Sequence, residues 1–177
     1  MQDEQISQAA QMLEDSRSEM KGKWLTFWLD EQLFGIPIAN VEQIVSMQPI
    51  TEVPDYPVYV KGIISIRGGG VIPLIDLRLR LGKQEKEFND HTCIISISAD
   101  NRMLGFIVDA VDAVTRIPQP DIEPPPQIGG DTANQYLTGV ARISQEDGTE
   151  KIVLCLNAAK VWRDNEADRL SCSDQMT

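Results

Sequence analysis

His91 is the only imidazole in the chain, and it stands between a polar loop and an apolar run. An imidazole there could serve as general base to a serine, but no Gly-x-Ser-x-Gly elbow accompanies it. The thiols are Cys93, Cys155 and Cys172. Cys93 and Cys155 sit inside apolar, strand-like runs and read as small buried hydrophobes. Cys172 lies in a polar tail. One histidine and no cysteine pair at ligand spacing exclude the usual zinc sites. Gly68-Gly69-Gly70 lacks the Gly-Lys-Ser/Thr ending of a phosphate loop and opens no long helix, so it reads as a tight turn. Carboxylates are plentiful, but no spacing marks a catalytic pair. The expectation is a protein without catalysis, metal or cofactor.

Charge narrows the partners. The 177 residues carry 27 Asp plus Glu against 16 Lys plus Arg, a net charge of −11. Such a chain is a poor general binder of nucleic acid or of an anionic membrane. One stretch runs against the trend. Residues 61–86 hold Lys61, Arg67, Arg78, Arg80, Lys83 and Lys86 against Asp76 and Glu85. Its plain reading is a solvated face. Trp24, Trp28 and Trp162 lie away from it in sequence, so stacking of bases beside a basic groove is not expected. No apolar run reaches the length of a membrane span, and the N-terminus lacks the pattern of a signal peptide. A soluble cytoplasmic protein, with no direct membrane insertion, is expected.

The elements that must position these residues are mostly strands. Residues 1–22 are polar, with Ile6, Ala9, Ala10 and Leu13 spaced for a short amphipathic helix. Such a helix is marginal without a partner, so the segment reads as a mobile acidic arm. From Trp24 the pattern turns to strand periodicity. Strands are predicted over residues 24–29, 34–38, 41–45, 61–66 and 71–75. Turns fall at Asp30-Glu31-Gln32 and at the glycine run. Asp76 can cap a short helix through Leu81, closed by Gly82. Strands follow over 92–98, 103–108, 111–117, 136–143 and 151–156. Asn157 can cap a last short helix over 158–162. A loop rich in Pro, Gly and Asp fills 118–135, and 163–177 is a polar tail.

The second half repeats the first. Phe34-Gly35-Ile36-x-Ile38-x-x-Val41-Glu42-x-Ile44 aligns with Leu104-Gly105-Phe106-x-Val108-x-x-Val111-Asp112-x-Val114. Tyr59-Val60-x-Gly62-Ile63-x-x-Ile66 aligns with Tyr136-Leu137-x-Gly139-Val140-x-x-Ile143, and Ile72-x-Leu74-Ile75-Asp76 with Val153-x-Cys155-Leu156-Asn157. The body, 23–162, thus divides into one copy at about 24–82 and another at about 91–162. Five short strands per copy, with glycines at the corners, suit a small barrel. The expected fold is mostly β: two tandem five-stranded barrels with short helices. Two such barrels meet in a groove that a helix or a strand can enter.

The residues of the first copy resemble those of the CheW family of chemotaxis coupling proteins. The resemblance rests on Phe34-Gly35-Ile36-Pro37-Ile38, Val41-x-x-Ile44, Val60-Lys61-Gly62-Ile63-Ile64-x-Ile66-Arg67-Gly68 and Ile72-Pro73-Leu74-Ile75-Asp76-Leu77-Arg78. Gly105-Phe106-Ile107-Val108-Asp109-x-Val111 and Tyr136-Leu137-x-Gly139-Val140 continue it, so that it covers about residues 24–162. The resemblance implies SH3-like or OB-like barrels, with strand exchange between them as an open alternative. It implies a non-catalytic stand-alone scaffold joining chemoreceptor cytoplasmic hairpins to the regulatory domain of the CheA histidine kinase, recruited through them to membrane receptor arrays.

By that resemblance the receptor hairpin lies between the barrels, against Val41, Glu42, Gln43 and Arg67. A guanidinium suits a carboxylate on the receptor tip; equally, Arg67 could only brace the glycine turn, and Val41 could be core. Asp109, Val111 and Tyr136 are the candidates for the kinase-facing surface. The chain departs from the family pattern at Gln43, usually glutamate, and at Ser65, usually asparagine. Six residues rather than five separate Arg67 from Pro73, and the extra glycine could form a bulge. The rival reading is a small-ligand- or peptide-binding regulatory module on the same fold.

Overall fold

Each apolar run of the body becomes a strand in the computed structural model, which describes residues 2–17, 19–68, 70–125 and 135–162. The strands are β1 (Lys23–Leu29), β2 (Gln32–Pro37), β3 (Val41–Ser46), β4 (Val60–Ile66), β5 (Gly70–Asp76), β6 (Cys93–Ala99), β7 (Arg102–Val108), β8 (Ala110–Arg116), β9 (Ile122–Glu123), β10 (Leu137–Ser144) and β11 (Glu150–Leu156). The helices are α1 (Gln2–Asp15), α2 (Leu77–Arg80) and α3 (Ala158–Trp162). The tail 163–177, with Cys172, and residues 126–134 of the long loop lie outside the described residues.

Two hairpins open the two copies. Asp30 and Glu31 link β1 to β2 with φ of 49° and 68°, and Asp100 and Asn101 link β6 to β7 with φ of 52° and 62°. Positive φ at both central residues marks the turn whose twist matches that of the flanking strands. Neither hairpin stays with its own copy. One sheet runs β8-β1-β2-β11-β10-β9 and the other β3-β6-β7-β5-β4. Each barrel therefore joins the hairpin of one copy to the later strands of the other, and strand exchange is the arrangement realised. The hairpins are knitted in by parallel pairing, β2 along β11 and β5 along β7. The crossings are short: the 3-10 turn Ile38–Asn40 follows β2, and Asp109 alone separates β7 from β8.

Three buried clusters follow from this exchange. Ile64, Ile66, Ile72, Leu74, Ile94 and Ile107 fill one barrel. Trp24, Leu33, Ile117, Ala141, Val153 and Cys155 fill the other. The third and largest lies between them, and includes Leu25, Phe27, Leu29, Phe34 and Ile36 with Ile95, Ile97, Leu104 and Phe106. Strand β1 thus buries both faces, one in a barrel and one in the shared core.

Each barrel closes where a strand passes over a corner glycine. The Thr51 and Ile63 main chains exchange hydrogen bonds of 3.0 and 2.9 Å above Gly62, and β9 pairs with β10 above Gly139. A Cβ on Gly62 would lie 2.2 Å from the Thr51 carbonyl oxygen, and one on Gly139 2.4 Å from that of Glu123. The same close approach at repeat-equivalent positions explains why both copies keep glycine there. The extra glycine after Arg67 does not bulge a strand. Pairing runs without a shift from Gly62 opposite Leu74 to Ile66 opposite Gly70, so the added residue lengthens the connection.

A buried ion network pins the second crossing. Arg78, 2% exposed, reaches Asp76 through Nε at 3.2 Å and Asp109 through Nη1 at 3.3 Å. Asp76 also accepts the Arg78 N–H at 3.0 Å and so caps α2, as its sequence position predicts. The other oxygen of Asp109 accepts the Asp30 N–H at 2.7 Å.

Residues 1–22, read as a mobile arm, instead hold α1. Ala9 and Leu13 are buried at 3% and 2% exposure in the shared core, with Ile6 packed beside them. The partner that the polar sequence does not announce is a strip formed by β3 and β8, one from each barrel.

Gly62→Ala and Gly139→Ala should each cost about 1–3 kcal/mol through overpacking. Gly148, at φ +86° in open space, should lose only about 1 kcal/mol on change to alanine, from left-handed strain alone. Urea unfolding midpoints check all three; an unchanged midpoint for Gly139→Ala would contradict the closure described. Asp76→Ala breaks the buried pair with Arg78, leaving it Asp109 alone, and should cost about 3–5 kcal/mol in the same measurement.

Candidate partner-binding surface along β3

Of the four residues expected to face a receptor, three reach the surface. Glu42 and Arg67 are exposed and Gln43 is half-buried. Gln43 brings them together through a long 3.5 Å contact from its Nε2 to the Arg67 carbonyl oxygen. Val41 does not join them. At 1% exposure it belongs to the shared core, so the expectation of a receptor contact through its side chain is corrected. Strand alternation explains this: Val41 and Ile44 point in on either side of the bulge between Val41 and Gln43, and Glu42 points out.

The Arg67 guanidinium forms no ion pair or hydrogen bond among the described residues, so it braces no described part of the glycine turn. It is also what remains of the basic stretch. Arg78 and Arg80 are buried, Lys61 pairs with Glu85, Lys86 with Asp30, and Lys83 bonds to Gln32. The run of like charge in sequence is therefore not a basic patch in space.

Of the three kinase-facing candidates, two are buried and one, Asp109, is half-buried. Val111 and Tyr136 are each 2% exposed and lie in the shared core. Tyr136 and its repeat counterpart Tyr59 flank the Arg80 guanidinium, whose carbon lies 4.8 and 4.4 Å from their ring centres. Arg80 Nε donates to the Val161 carbonyl oxygen at 2.8 Å. Asp109 is held by Arg78 and by the Asp30 N–H. All three lie where the two copies meet; Val111 and Tyr136 are buried there, while the Asp109 side chain keeps 22% exposure beside Arg78.

Arg17 is the residue that the sequence did not single out. Its guanidinium donates to the Val41 and Glu42 carbonyl oxygens at 2.9 Å each. These carbonyls lie along β3, which pairs with β6 alone among the named strands. The only sequence signal was the spacing of Ile6, Ala9 and Leu13, which puts a helix just ahead of Arg17.

The groups able to do chemistry are poorly placed for it. Burial pushes the Cys93 and Cys155 thiols up to about 12, far from the reactive thiolate. The main chain of His91 is tied to the Asn89 side chain in a surface turn. No group of three or more His, Cys, Asp or Glu could hold a metal ion among the described residues. No helix among them is long and apolar enough to cross a membrane.

Comparison with known proteins agrees with this geometry. The CheW-like domain matches residues 23–166, from β1 to just past α3. The chemotaxis protein CheW of Treponema pallidum is 31% identical over 83% of this chain and 85% of its own length. Protein FrzA of Myxococcus xanthus is 30% identical over 78% of this chain and 84% of its own. Among solved structures, the scaffolding protein TtCheW of Thermoanaerobacter tengcongensis superposes with a TM-score of 0.71 at 31% identity, over 82% of this chain and 94% of that one. With a matched domain that spans both barrels and relatives similar over most of their length, the chain belongs to the CheW-like family.

Proposed function

We infer that the protein is a non-catalytic coupling scaffold of a chemosensory system, linking chemoreceptor cytoplasmic hairpins to a CheA-type histidine kinase. The observation that carries this is the match of the CheW-like domain over the whole β body. Glu42 and Arg67, both exposed, with the half-buried Gln43 touching Arg67, support it. A helical hairpin has an apolar face to lay along a groove and charged tips for a guanidinium to meet. The protein works in the cytoplasm and reaches the membrane through the receptors it binds.

The kinase-facing side needs other residues than those first expected. Val71 on β5 and Ile152 on β11 are repeat-equivalent and exposed at 64% and 56%. Beside Ile152, Trp28 and Leu154 extend the apolar surface. One such anchor on each barrel suits a partner that is itself built of like barrels, docking barrel to barrel. A few apolar anchors carry most of the energy in interfaces of this kind.

Arg67→Glu should weaken binding of a receptor hairpin about tenfold, as the loss of one anchor predicts, with little change in stability. Ile152→Asp should do the same to the kinase regulatory domain and spare the receptor. Calorimetric titration of each variant against each partner checks both. Unchanged affinities throughout would overturn the assignment of these surfaces, and no binding by the wild-type protein would overturn the coupling function. Val41→Asp and Tyr136→Ala should instead destabilise the fold, the latter by about 3–5 kcal/mol, read as a lower urea unfolding midpoint.

A further inference from the structure

The β3–β8 groove is already filled by a helix. Helix α1 rests on β3 of one barrel and β8 of the other, across the seam. Its inner stripe is Ile6, Ala9 and Leu13, at the spacing of one helical face. Its outer face carries Gln8, Gln11, Glu14 and Asp15, all exposed. Beyond its end, Arg17 covers the Val41 and Glu42 carbonyl oxygens. The groove therefore shows what it accepts: an amphipathic helix with small and large apolar residues in one stripe, and a donor for the edge of β3.

The hold on this helix is thin. Among the described residues, Ala9 and Leu13 are the buried side chains of α1, and no main-chain hydrogen bond ties the helix to a strand. Every strand, by contrast, is paired. Side chains alone keep α1 in place, so it is the element most readily released.

We propose that α1 is an internal competitor for the β3–β8 groove, closing it in the free protein and leaving it when a helical partner docks. The proposal rests on the reading of β3 as the receptor strand. Displacement frees two carbonyls on β3 and an apolar trough beside Glu42, Gln43 and Arg67. An incoming helix replaces both the stripe and the donor that α1 supplied. The receptor and the N-terminal helix then exclude each other, and any change that loosens α1 tightens receptor binding.

The test uses the full chain and two variants, Arg17→Ala and Leu13→Asp with Arg17→Ala. Hydrogen exchange of residues 2–17 reads the helix, and calorimetry reads affinity for a helical chemoreceptor hairpin fragment. A saturating hairpin should deprotect α1 in the wild-type protein. If α1 is docked nine-tenths of the time, the double variant should bind the hairpin about tenfold tighter, and Arg17→Ala by a smaller factor. Affinity for the kinase regulatory domain should not change. Continued protection of α1 in the complex, or equal affinity for all three proteins, would overturn the proposal while leaving the coupling function intact. If no protein binds the hairpin, the coupling reading fails. A labelled peptide of residues 2–17 then decides the matter: binding to the double variant but not to the wild-type chain upholds the competitor, and binding to neither overturns it.

Discussion

One apolar core, shared by two exchanged hairpins, holds everything else in place. Leu25, Phe27, Phe34 and Ile36 from the first copy meet Ile95, Ile97, Leu104 and Phe106 from the second, all fully or nearly fully buried. Neither barrel is complete without the other copy's hairpin, so the barrels cannot slide apart without breaking sheet hydrogen bonds. The seam between them is accordingly rigid. Burial of apolar surface drives this assembly, and the parallel pairings β2–β11 and β5–β7 give it a single register.

That constraint decides which side chains remain available to partners. Residues at the crossings serve the seam: Asp109 anchors Arg78, Tyr136 and Tyr59 flank Arg80, and Val111 packs inward. What reaches solvent is the edge of β3, the connection after Arg67 and the outer faces of β5 and β11. A scaffold built this way keeps its fold and its contacts on different residues. Surface residues can then change, as Gln43 and the lengthened glycine run do relative to the family pattern, without disturbing the cores.

Much of the fold was legible in sequence. The strands, the turn at Asp30-Glu31, the caps Asp76 and Asn157, and the duplication all have local causes, and local causes are written in residue type and spacing. Which hairpin joins which barrel is a long-range matter, and the repeat favours either pairing equally. The site was less legible for a related reason. Alternation separates the two faces of a strand but does not say which is inside. In β1 both are, because a barrel interior lies on one side and the shared core on the other. The burial of Val41 and Val111 was missed on this account; Tyr136 precedes its strand, and its burial follows from the meeting of the two copies. Helix α1 escaped because its polar sequence predicts instability when alone, and its partner is a groove that forms only after both barrels close.

Coupling is a claim about control, and reconstituted kinase activity tests it most directly. Autophosphorylation of the CheA-type kinase from the same genome would be measured with membrane-embedded receptors, with and without this protein, and with and without an attractant. The account predicts that the receptors govern the kinase only when the protein is present. A kinase whose rate follows the attractant equally well in its absence, or ignores the attractant in its presence, would contradict it.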